Sequence, residues 1–364
     1  PKVWDTDRDG LSDGDEINIH NTNPSVADSD KDGLSDGVEV NVFGTNPLQV
    51  DSNGNGISDG DEDSDGDGLS DADELNIHNT NPKVADTDRD GLSDSDEINI
   101  LHTDPLIQDS DGNGITDGNE DPDSDGLSNS DELNIHNTNP LEADIDEDGL
   151  TDLQEVALKT NPFKADTDGD NLSDWVEINV LDTNPLQIDT NGNGISDGDE
   201  DSDSDGLSDA DEINIHGTPP KVADIDQDGL NDWEEVSLKT NPAKADTDED
   251  GISDGVEVNV LNTNPLIQDS DGDGISDGDE DSDLDGLTDS DELNKYGTSP
   301  KVADTDQDGL SDGIEVNILN TDPTVTDTDK DGVHDGNEDA DKDGLINLDE
   351  LFIHKTDPMD ADTD

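Results

Sequence analysis

The sequence predicts a cation-stabilised repeat array, solenoid-like and elongated, made mostly of loops and turns with a short helical turn after each loop. It predicts no conventional hydrophobic core and little or no β-sheet. Three observations carry this expectation: too few apolar residues for a core, a large excess of negative charge, and one acidic motif written many times.

Of the 364 residues, 26% are hydrophobic and 2% aromatic. So little apolar surface does not offset the entropy of ordering a chain of this length. Fifteen Lys and Arg stand against 104 Asp and Glu, a formal charge of −89. Such a chain repels itself unless cations bind it, and nucleic acid and anionic membrane surfaces are excluded as partners on the same ground. Cysteine is absent, which removes disulfides and thiolate metal sites. No apolar run reaches the length of a membrane span, so no membrane insertion is expected, and no signal peptide precedes Pro1. Pro1-Lys2-Val3 ahead of Asp5 matches Pro82-Lys83-Val84 ahead of Asp86, and a further loop opens at Asp362. A piece of a longer array, or a processed product, is therefore expected.

The motif is set by Asp5 through Glu16 and reads D-x-D-x-D-G-[LIV]-x-D-x-x-E. Complete copies start at residues 5, 28, 51, 63, 86, 109, 121, 144, 166, 189, 201, 224, 246, 269, 281, 304, 327 and 339, with a truncated one at 362. Thirteen intervals between starts are 22 or 23 residues and five are 12. The short intervals divide the chain into super-repeats 5–62, 63–120, 121–200, 201–280 and 281–338, within one continuous array 1–364. Fixed-period self-similarity of this kind is the mark of a repeat architecture.

The residue types at these positions suit calcium. This hard cation takes six to eight oxygen ligands at about 2.3–2.6 Å in flexible geometry. Asp at positions 1, 3 and 5 offers three short carboxylates while the chain curls. Position 6 must turn sharply; it is Gly in seventeen loops and Asn171 in the other. Position 7 offers its backbone carbonyl, so its side chain is free to be Leu, Ile or Val. Glu at position 12 closes the shell with a longer arm that can bind through both oxygens.

The candidate ligands stand at positions 1, 3, 5, 9 and 12 of each loop. In the first super-repeat they are Asp5, Asp7, Asp9, Asp13, Glu16, then Asp28, Asp30, Asp32, Asp36, Glu39, then Asp51, Asn53, Asn55, Asp59, Glu62. In the second they are Asp63, Asp65, Asp67, Asp71, Glu74, then Asp86, Asp88, Asp90, Asp94, Glu97, then Asp109, Asp111, Asn113, Asp117, Glu120. The third supplies Asp121, Asp123, Asp125, Asn129, Glu132, then Asp144, Asp146, Asp148, Asp152, Glu155. It continues with Asp166, Asp168, Asp170, Asp174, Glu177, then Asp189, Asn191, Asn193, Asp197, Glu200. The fourth supplies Asp201, Asp203, Asp205, Asp209, Glu212, then Asp224, Asp226, Asp228, Asp232, Glu235. It continues with Asp246, Asp248, Asp250, Asp254, Glu257, then Asp269, Asp271, Asp273, Asp277, Glu280. The last copies give Asp281, Asp283, Asp285, Asp289, Glu292, then Asp304, Asp306, Asp308, Asp312, Glu315. They end with Asp327, Asp329, Asp331, Asp335, Glu338, then Asp339, Asp341, Asp343, Asn347, Glu350. Of these 90 positions seven are Asn, so 83 of the 104 acids are accounted for by candidate ligand positions. A merely disordered or solvated acidic chain would not phase its acids with Gly and an aliphatic, so a calcium-stabilised repeat array is the expectation.

An EF-hand or dockerin loop buries its aliphatic at position 8. Here position 8 is mostly Ser (Ser12, Ser35, Ser70) and the aliphatic stands at position 7, and Pro-containing stretches replace an entering helix. The tandem motif with mixed spacing instead resembles thrombospondin type 3 repeats, most of all the bacterial kind. Asp86-Thr87-Asp88-Arg89-Asp90-Gly91-Leu92-Ser93-Asp94, with Thr80-Asn81-Pro82 before it, carries the likeness, which extends over essentially the whole chain. The resemblance implies an extracellular or cell-surface protein whose backbone wraps a string of Ca2+ ions, about one per loop or more. Two departures bear on what carries over: the animal repeats have cysteines, and position 12 here is Glu rather than Asp. Whether ions are shared between adjacent loops, and whether position 9 binds directly, through water or to a neighbouring ion, stays open.

Each long spacer runs from Glu through Thr-Asn-Pro, or a near relative, into the next Asp. Asp13 through His20 is long enough for about two helical turns, marginal in isolation, and Pro24 stops continuation. Leu34, Val38, Val40, Val42 and Phe43 are expected to form one small cluster per repeat. His20, His78, His136, His216 and His354 share a helix-end position with Tyr296, which points to packing rather than metal binding; Trp4, Trp175 and Trp233 read as cluster fillers. Glu62 abuts Asp63 directly, two acid clusters that tolerate each other once metallated.

The function expected is a calcium-stiffened structural spacer: a stalk, filament or adhesin segment, free to self-associate into a filament or contact other surface proteins. Calcium storage or mineral nucleation is the alternative. An intracellular sensor needs a Met-rich groove, and the chain has one Met, Met359. No nucleophile–base arrangement stands outside the repeats, so no enzyme is expected.

Overall fold

The computed structural model describes residues 4–361. The expected features of Pro1 to Val3 and the truncated loop at Asp362 lie outside them. Among the described residues there is no strand, and the architecture is a repeat array of loops, turns and short helical turns. Residues up to Thr167 with Ser173–Leu186 form one compact unit, and Asp168–Leu172 with the residues from Gln187 on form the other.

Within a loop the backbone is closed by its own acids, as the copy at Asp28 illustrates. The Asp28 carboxylate accepts the N–H of Lys31 (2.6 Å) and of Gly33 (3.3 Å), pulling positions 4 and 6 inward. Asp32 Oδ1 accepts the Leu34 N–H at 2.8 Å. The Asp36 carboxylate takes the backbone N–H and the hydroxyl of Ser29, both at 2.7 Å. The Asp36 N–H donates to the Ala27 carbonyl and ties the loop shut. Position 4 is left-handed whatever residue stands there: φ is 69° at Lys31 and 66° at Leu284. An L-residue tolerates that conformation at a cost of about 1–2 kcal/mol.

The turn that succeeds each loop is decided by the interval to the next. Ser35 at position 8 caps the α-helical turn Asp36–Val38 by accepting the Val38 N–H, as expected of a residue with a short polar oxygen at an N-cap. In each of the eleven 23-residue repeats that turn passes into a π turn, as at Glu16–His20 and Glu39–Phe43. The two 22-residue repeats, starting at Asp144 and Asp224, instead continue as uninterrupted α-helices Asp152–Leu158 and Asp232–Leu238. The extra residue is absorbed as one i→i+5 turn, so that the Thr of Thr-Asn-Pro still donates its N–H to the Glu carbonyl, from Thr22 to Glu16 at 3.2 Å and from Thr160 to Glu155 at 3.1 Å. The five loops followed by a 12-residue interval make only a three-residue 3₁₀ turn, such as Asp59–Asp61. The expected helix after each loop is present, and its type tracks the spacing.

Buried apolar side chains are thinly strung, chiefly at position 7 of the long loops: Leu34 is 1% exposed, Leu92, Leu150, Leu230, Ile252 and Leu310 are likewise buried, and Val176, Leu181, Leu261 and Leu319 join them in single repeats. The wider cluster expected around Leu34 is not formed, since Val42 is exposed and Val38, Val40 and Phe43 are half-buried. A 23-residue unit of this composition has one helical turn to present, which buries position 16 where it is Leu181, Leu261 or Leu319 and leaves most of the turn's other apolar residues nearer the surface. His20, His78, His136, His216 and His354 each end a π turn. Trp4, Trp175 and Trp233 are all exposed, with Trp175 lying against Gly149 and Trp233 against Gly206.

Candidate metal centre

Successive loops interlock through their acids. The Gly37 N–H, at position 10, donates to Asp9 Oδ2 of the preceding loop at 3.1 Å. Ser95 does the same to Asp67 and Gly313 to Asp285. The approach is close enough that a Cβ on Gly37 would fall on the Asp9 carbonyl oxygen. This docking carries Asp36, at position 9, into contact with the acids of the loop before it.

Two kinds of carboxylate cluster result. Positions 1, 3 and 5 of one loop gather, as in Asp5, Asp7 and Asp9, or Asp28, Asp30 and Asp32, or Asp63, Asp65 and Asp67, with ligand oxygens within 4.8 Å of one another. A second kind joins positions 5 and 12 of one loop to position 9 of the next: Asp9, Glu16 and Asp36, and likewise Asp32, Glu39 and Asp59. Position 5 belongs to both. Position 9 therefore braces its own loop through the residue at position 2 while facing the Glu of the loop before.

These clusters lack internal neutralisation. Glu16, Glu39, Glu74 and Glu97 are wholly buried, and the Oε2 of each has no hydrogen-bond donor. Both carboxylate oxygens of Asp7, Asp30, Asp65 and Asp283 are buried without a donor. An uncompensated buried carboxylate is strongly unfavourable. Burial and the neighbouring Asp30 and Asp32 accordingly push the Glu39 carboxyl up to about 8. Burial with Asp306 and Asp308 takes Glu315 to about 9, and burial with Asp7 and Asp9 takes Glu16 to about 7. Lys and Arg intervene little: the ion pairs Lys244–Glu249 and Lys295–Asp291 lie outside the clusters, and Lys301 faces Asp289. Several carboxylate oxygens converging at short range, all hard ligand atoms and many lacking a hydrogen-bond donor, fit a calcium ion.

Three of the five short-interval loops, those at Asp51, Asp109 and Asp189, are built differently. In the loop at Asp51 the side-chain amides of Asn53 and Asn55 donate to Glu62 Oε1 at 2.6 and 2.9 Å. Asn191 and Asn193 repeat this on Glu200, and Asn113 on Glu120. The loop after the short one packs back past it: Asn76 Nδ2 donates to the Gly33 carbonyl at 2.9 Å, 43 residues earlier, as Asn134 does to Gly91. Glu62 is thus relieved by amides where two mutually repelling acid clusters were expected.

Sequence reasoning passed over three sets of residues. Ser at position 8 is the helix cap, which a short polar residue directly ahead of the acid-led turn signals. Ser or Thr at position 2 holds position 9. Thr of Thr-Asn-Pro donates its hydroxyl to the Glu carboxylate, as Thr80 does to Glu74 Oε1 at 3.1 Å; its regular spacing from Glu was the available signal.

Twelve segments of the chain match the family model described as Bacterial TSP3 repeat: residues 5–27, 28–50, 63–85, 86–106, 121–143, 144–165, 201–223, 224–245, 246–266, 269–283, 281–303 and 304–326. No curated protein matches the chain. Among solved structures, one titled "Biofilm associated protein - B domain" is 41% identical over 13% of this chain and 11% of its own, with a TM-score of 0.13. Another, "Biofilm associated protein - BSP domain", is 40% identical over 12% of this chain and 8% of its own, with a TM-score of 0.12. The chain spans about a tenth of the length of either.

Proposed function

Because the chain belongs to the bacterial TSP3 repeat family of calcium-binding repeats, we propose that it is a calcium-rigidified extracellular spacer, a stalk, filament or adhesin segment of a microbial surface or matrix. The observation that carries this reading is the burial of carboxylates against one another with no protein cation beside them, Glu39 with Asp32 and Asp59 being the type case. A bound divalent ion supplies the missing positive charge, and its binding free energy becomes folding free energy because the unfolded chain has no such site. Positions 1, 3, 5 and 12 are the assigned ligands within a loop, with position 9 serving the cluster of the preceding loop. Loading of about one ion per loop adds 36 positive charges over eighteen loops and takes −89 to −53. The array then stays acidic and takes up further cations. Millimolar calcium outside the cell suits sites with dissociation constants of about 10⁻⁴–10⁻³ M.

Storage or mineral nucleation is the second reading, and it needs carboxylates but no fixed geometry. The spacer residues favour the structural one. Ser35 caps a helical turn, Thr45 holds Glu39, and Gly37 locks each loop to its predecessor. Such interlocking is wasted on a charge reservoir and useful in a stiff segment.

Circular dichroism and small-angle scattering of the chain, with calcium and with chelator, test the reading. Calcium is expected to drive a cooperative transition from an expanded chain to an ordered particle whose largest dimension scales with repeat number. Magnesium, which demands octahedral geometry, is expected to do far less. Identical profiles with and without chelator would end the proposal, and a calcium-loaded particle of irregular, compact form would favour storage.

A further inference from the structure

The two 22-residue repeats differ from the other eleven long repeats at the atom that matters most for a cation. In every 23-residue repeat the Thr hydroxyl donates to Oε1 of the position-12 Glu, at 3.1–3.4 Å. That Glu therefore offers one uncommitted oxygen to its cluster. With one residue fewer between Glu and Thr, and an α-helix in place of the π turn, the hydroxyl no longer reaches. Thr240 Oγ1 donates to the Glu235 backbone carbonyl at 3.4 Å, and Thr160 Oγ1 is buried without a partner. Glu155 and Glu235 are wholly buried, and both carboxylate oxygens of each lack any donor. The facing acids are those of the other long loops, Asp146 and Asp148 for Glu155 and Asp226 and Asp228 for Glu235, while Ile145 and Ile225 at position 2 leave Asp152 and Asp232 without the usual hydroxyl.

Resting on the calcium reading above, we propose that the cages closed by Glu155 and Glu235 are a separate, tight and calcium-selective class, and that the Thr hydroxyl is the positioning group that weakens the other eleven. A Glu free at both oxygens can close on calcium with two bonds, which suits a large ion of flexible coordination and not magnesium. A Glu with one oxygen committed to Thr closes with one. Each compact unit carries one such repeat, residues 144–165 in the first and 224–245 in the second. Each is also the additional repeat that makes an 80-residue super-repeat out of a 58-residue one. Two ions, one per unit, thus load first and give each unit a fixed point from which its neighbours are ordered.

The test is calcium titration of the full chain against a chromophoric chelator, with magnesium as background. The wild-type chain is expected to show two ions bound about tenfold more tightly than the rest, the scale on which outer-shell contacts tune metal sites. Inserting one Asn after Leu158 leaves one tight ion, and a second Asn after Leu238 leaves none. Should the insertions disturb folding, Glu155→Asp with Glu235→Asp removes the tight class by shortening the arm, while Glu132→Asp with Glu212→Asp leaves it at two. Thr80→Val, which frees Glu74 Oε1, raises the tight class to three, and Thr80→Ser keeps it at two. A single homogeneous class of bound calcium, or a tight pair indifferent to these changes, overturns this inference alone. A chain that binds no calcium overturns the calcium reading with it.

Discussion

The loops at Asp28 and Asp51 are neighbours in sequence, and they solve the same problem in opposite ways. Both curl around convergent oxygens and both bury the acid at position 9. In the first, Asp30, Asp32 and Glu39 face each other as carboxylates, Glu39 is 0% exposed, and Leu34 below it is sealed from solvent. In the second, Asn53 and Asn55 donate to Glu62, which is only half-buried, and Ile57 at the Leu34 position is 49% exposed. Exchanging two carboxylates for amides converts mutual repulsion into hydrogen bonds, so that the loop closes on itself. The long loops depend on an outside charge, and the Asn-bearing short loops much less. The array therefore sets three short loops that need little completing, at Asp51, Asp109 and Asp189, among loops that need an outside cation, the short ones at Asp269 and Asp327 included.

The strongest way to break this comparison is to exchange the two chemistries. Asn53→Asp with Asn55→Asp removes two charge-assisted hydrogen bonds, each about 1 kcal/mol after allowance for exposure, and adds two like charges. Amide exchange of residues 51–62 in chelator is expected to speed by roughly tenfold to a hundredfold, while in saturating calcium the loop is protected as well as before. Asp30→Asn with Asp32→Asn works in reverse: residues 28–45 become less sensitive to chelator and bind calcium more weakly. Unchanged exchange in both variants would show that the amides do not substitute for the cation.

Proton linkage sharpens the comparison from the long-loop side. Without a cation, burial and the neighbouring acids raise Glu39, Glu97 and Glu257 from about 4.5 to about 8. The metal-free fold therefore binds more protons than the unfolded chain between those values. Its stability is greatest below pH 4.5 and is lost as the pH rises through 8. Calcium needs the carboxylate form, so calcium affinity moves the opposite way and climbs across the same window, with protons released on binding. Ellipticity of the dialysed, metal-free chain is expected to fall from pH 5 to pH 8, and calcium added at pH 7 to acidify an unbuffered solution. Calcium uptake without proton release would contradict the assignment of the buried Glu as ligands.

Much of this was legible in the residues, and the features that were not legible share a cause. The acids, the Gly at position 6, the aliphatic at position 7 and the intervals of 12, 22 and 23 residues are all local, and each fixed a feature that the fold displays. The 22- and 23-residue intervals look interchangeable until the hydrogen bonds of Thr160 and Thr22 are compared, because a single surplus residue is absorbed inside a helix. The second role of Asp36 depends on the bond from the neighbouring Gly37 N–H to Asp9, 28 residues away, which no local pattern encodes. The expected cluster of Val38, Val40, Val42 and Phe43 counted apolar residues without asking which side of one helical turn each occupies. Position 4 carried no compositional signal: Arg8, Lys31, Ser124, Glu147, Gln227 and Leu284 share one left-handed backbone and nothing else.

That backbone yields the smallest of the expected effects, and it separates the two kinds of loop once more. Four of the five short loops have Gly at position 4 (Gly54, Gly112, Gly192 and Gly272), where the left-handed conformation is free of strain. Most long loops place a side chain there. Leu284 is the sharpest case: it is 87% exposed at φ 66°, so its side chain gains nothing from burial while its backbone is held in an unfavourable well. Leu284→Gly relieves about 1 kcal/mol of strain in the folded loop, offset in part by the greater freedom of Gly in the unfolded chain. A net gain of about 0.5 kcal/mol is expected, read as a slightly lower calcium concentration for ordering residues 281–292. Gly54→Leu should cost the loop at Asp51 about 1 kcal/mol, since a Cβ there meets no atom within 4 Å and only the backbone strain is added. If Leu284→Gly instead weakened calcium binding, the left-handed residue would be contributing to the cage through something other than its conformation, and position 4 would join the acids as a determinant of the site.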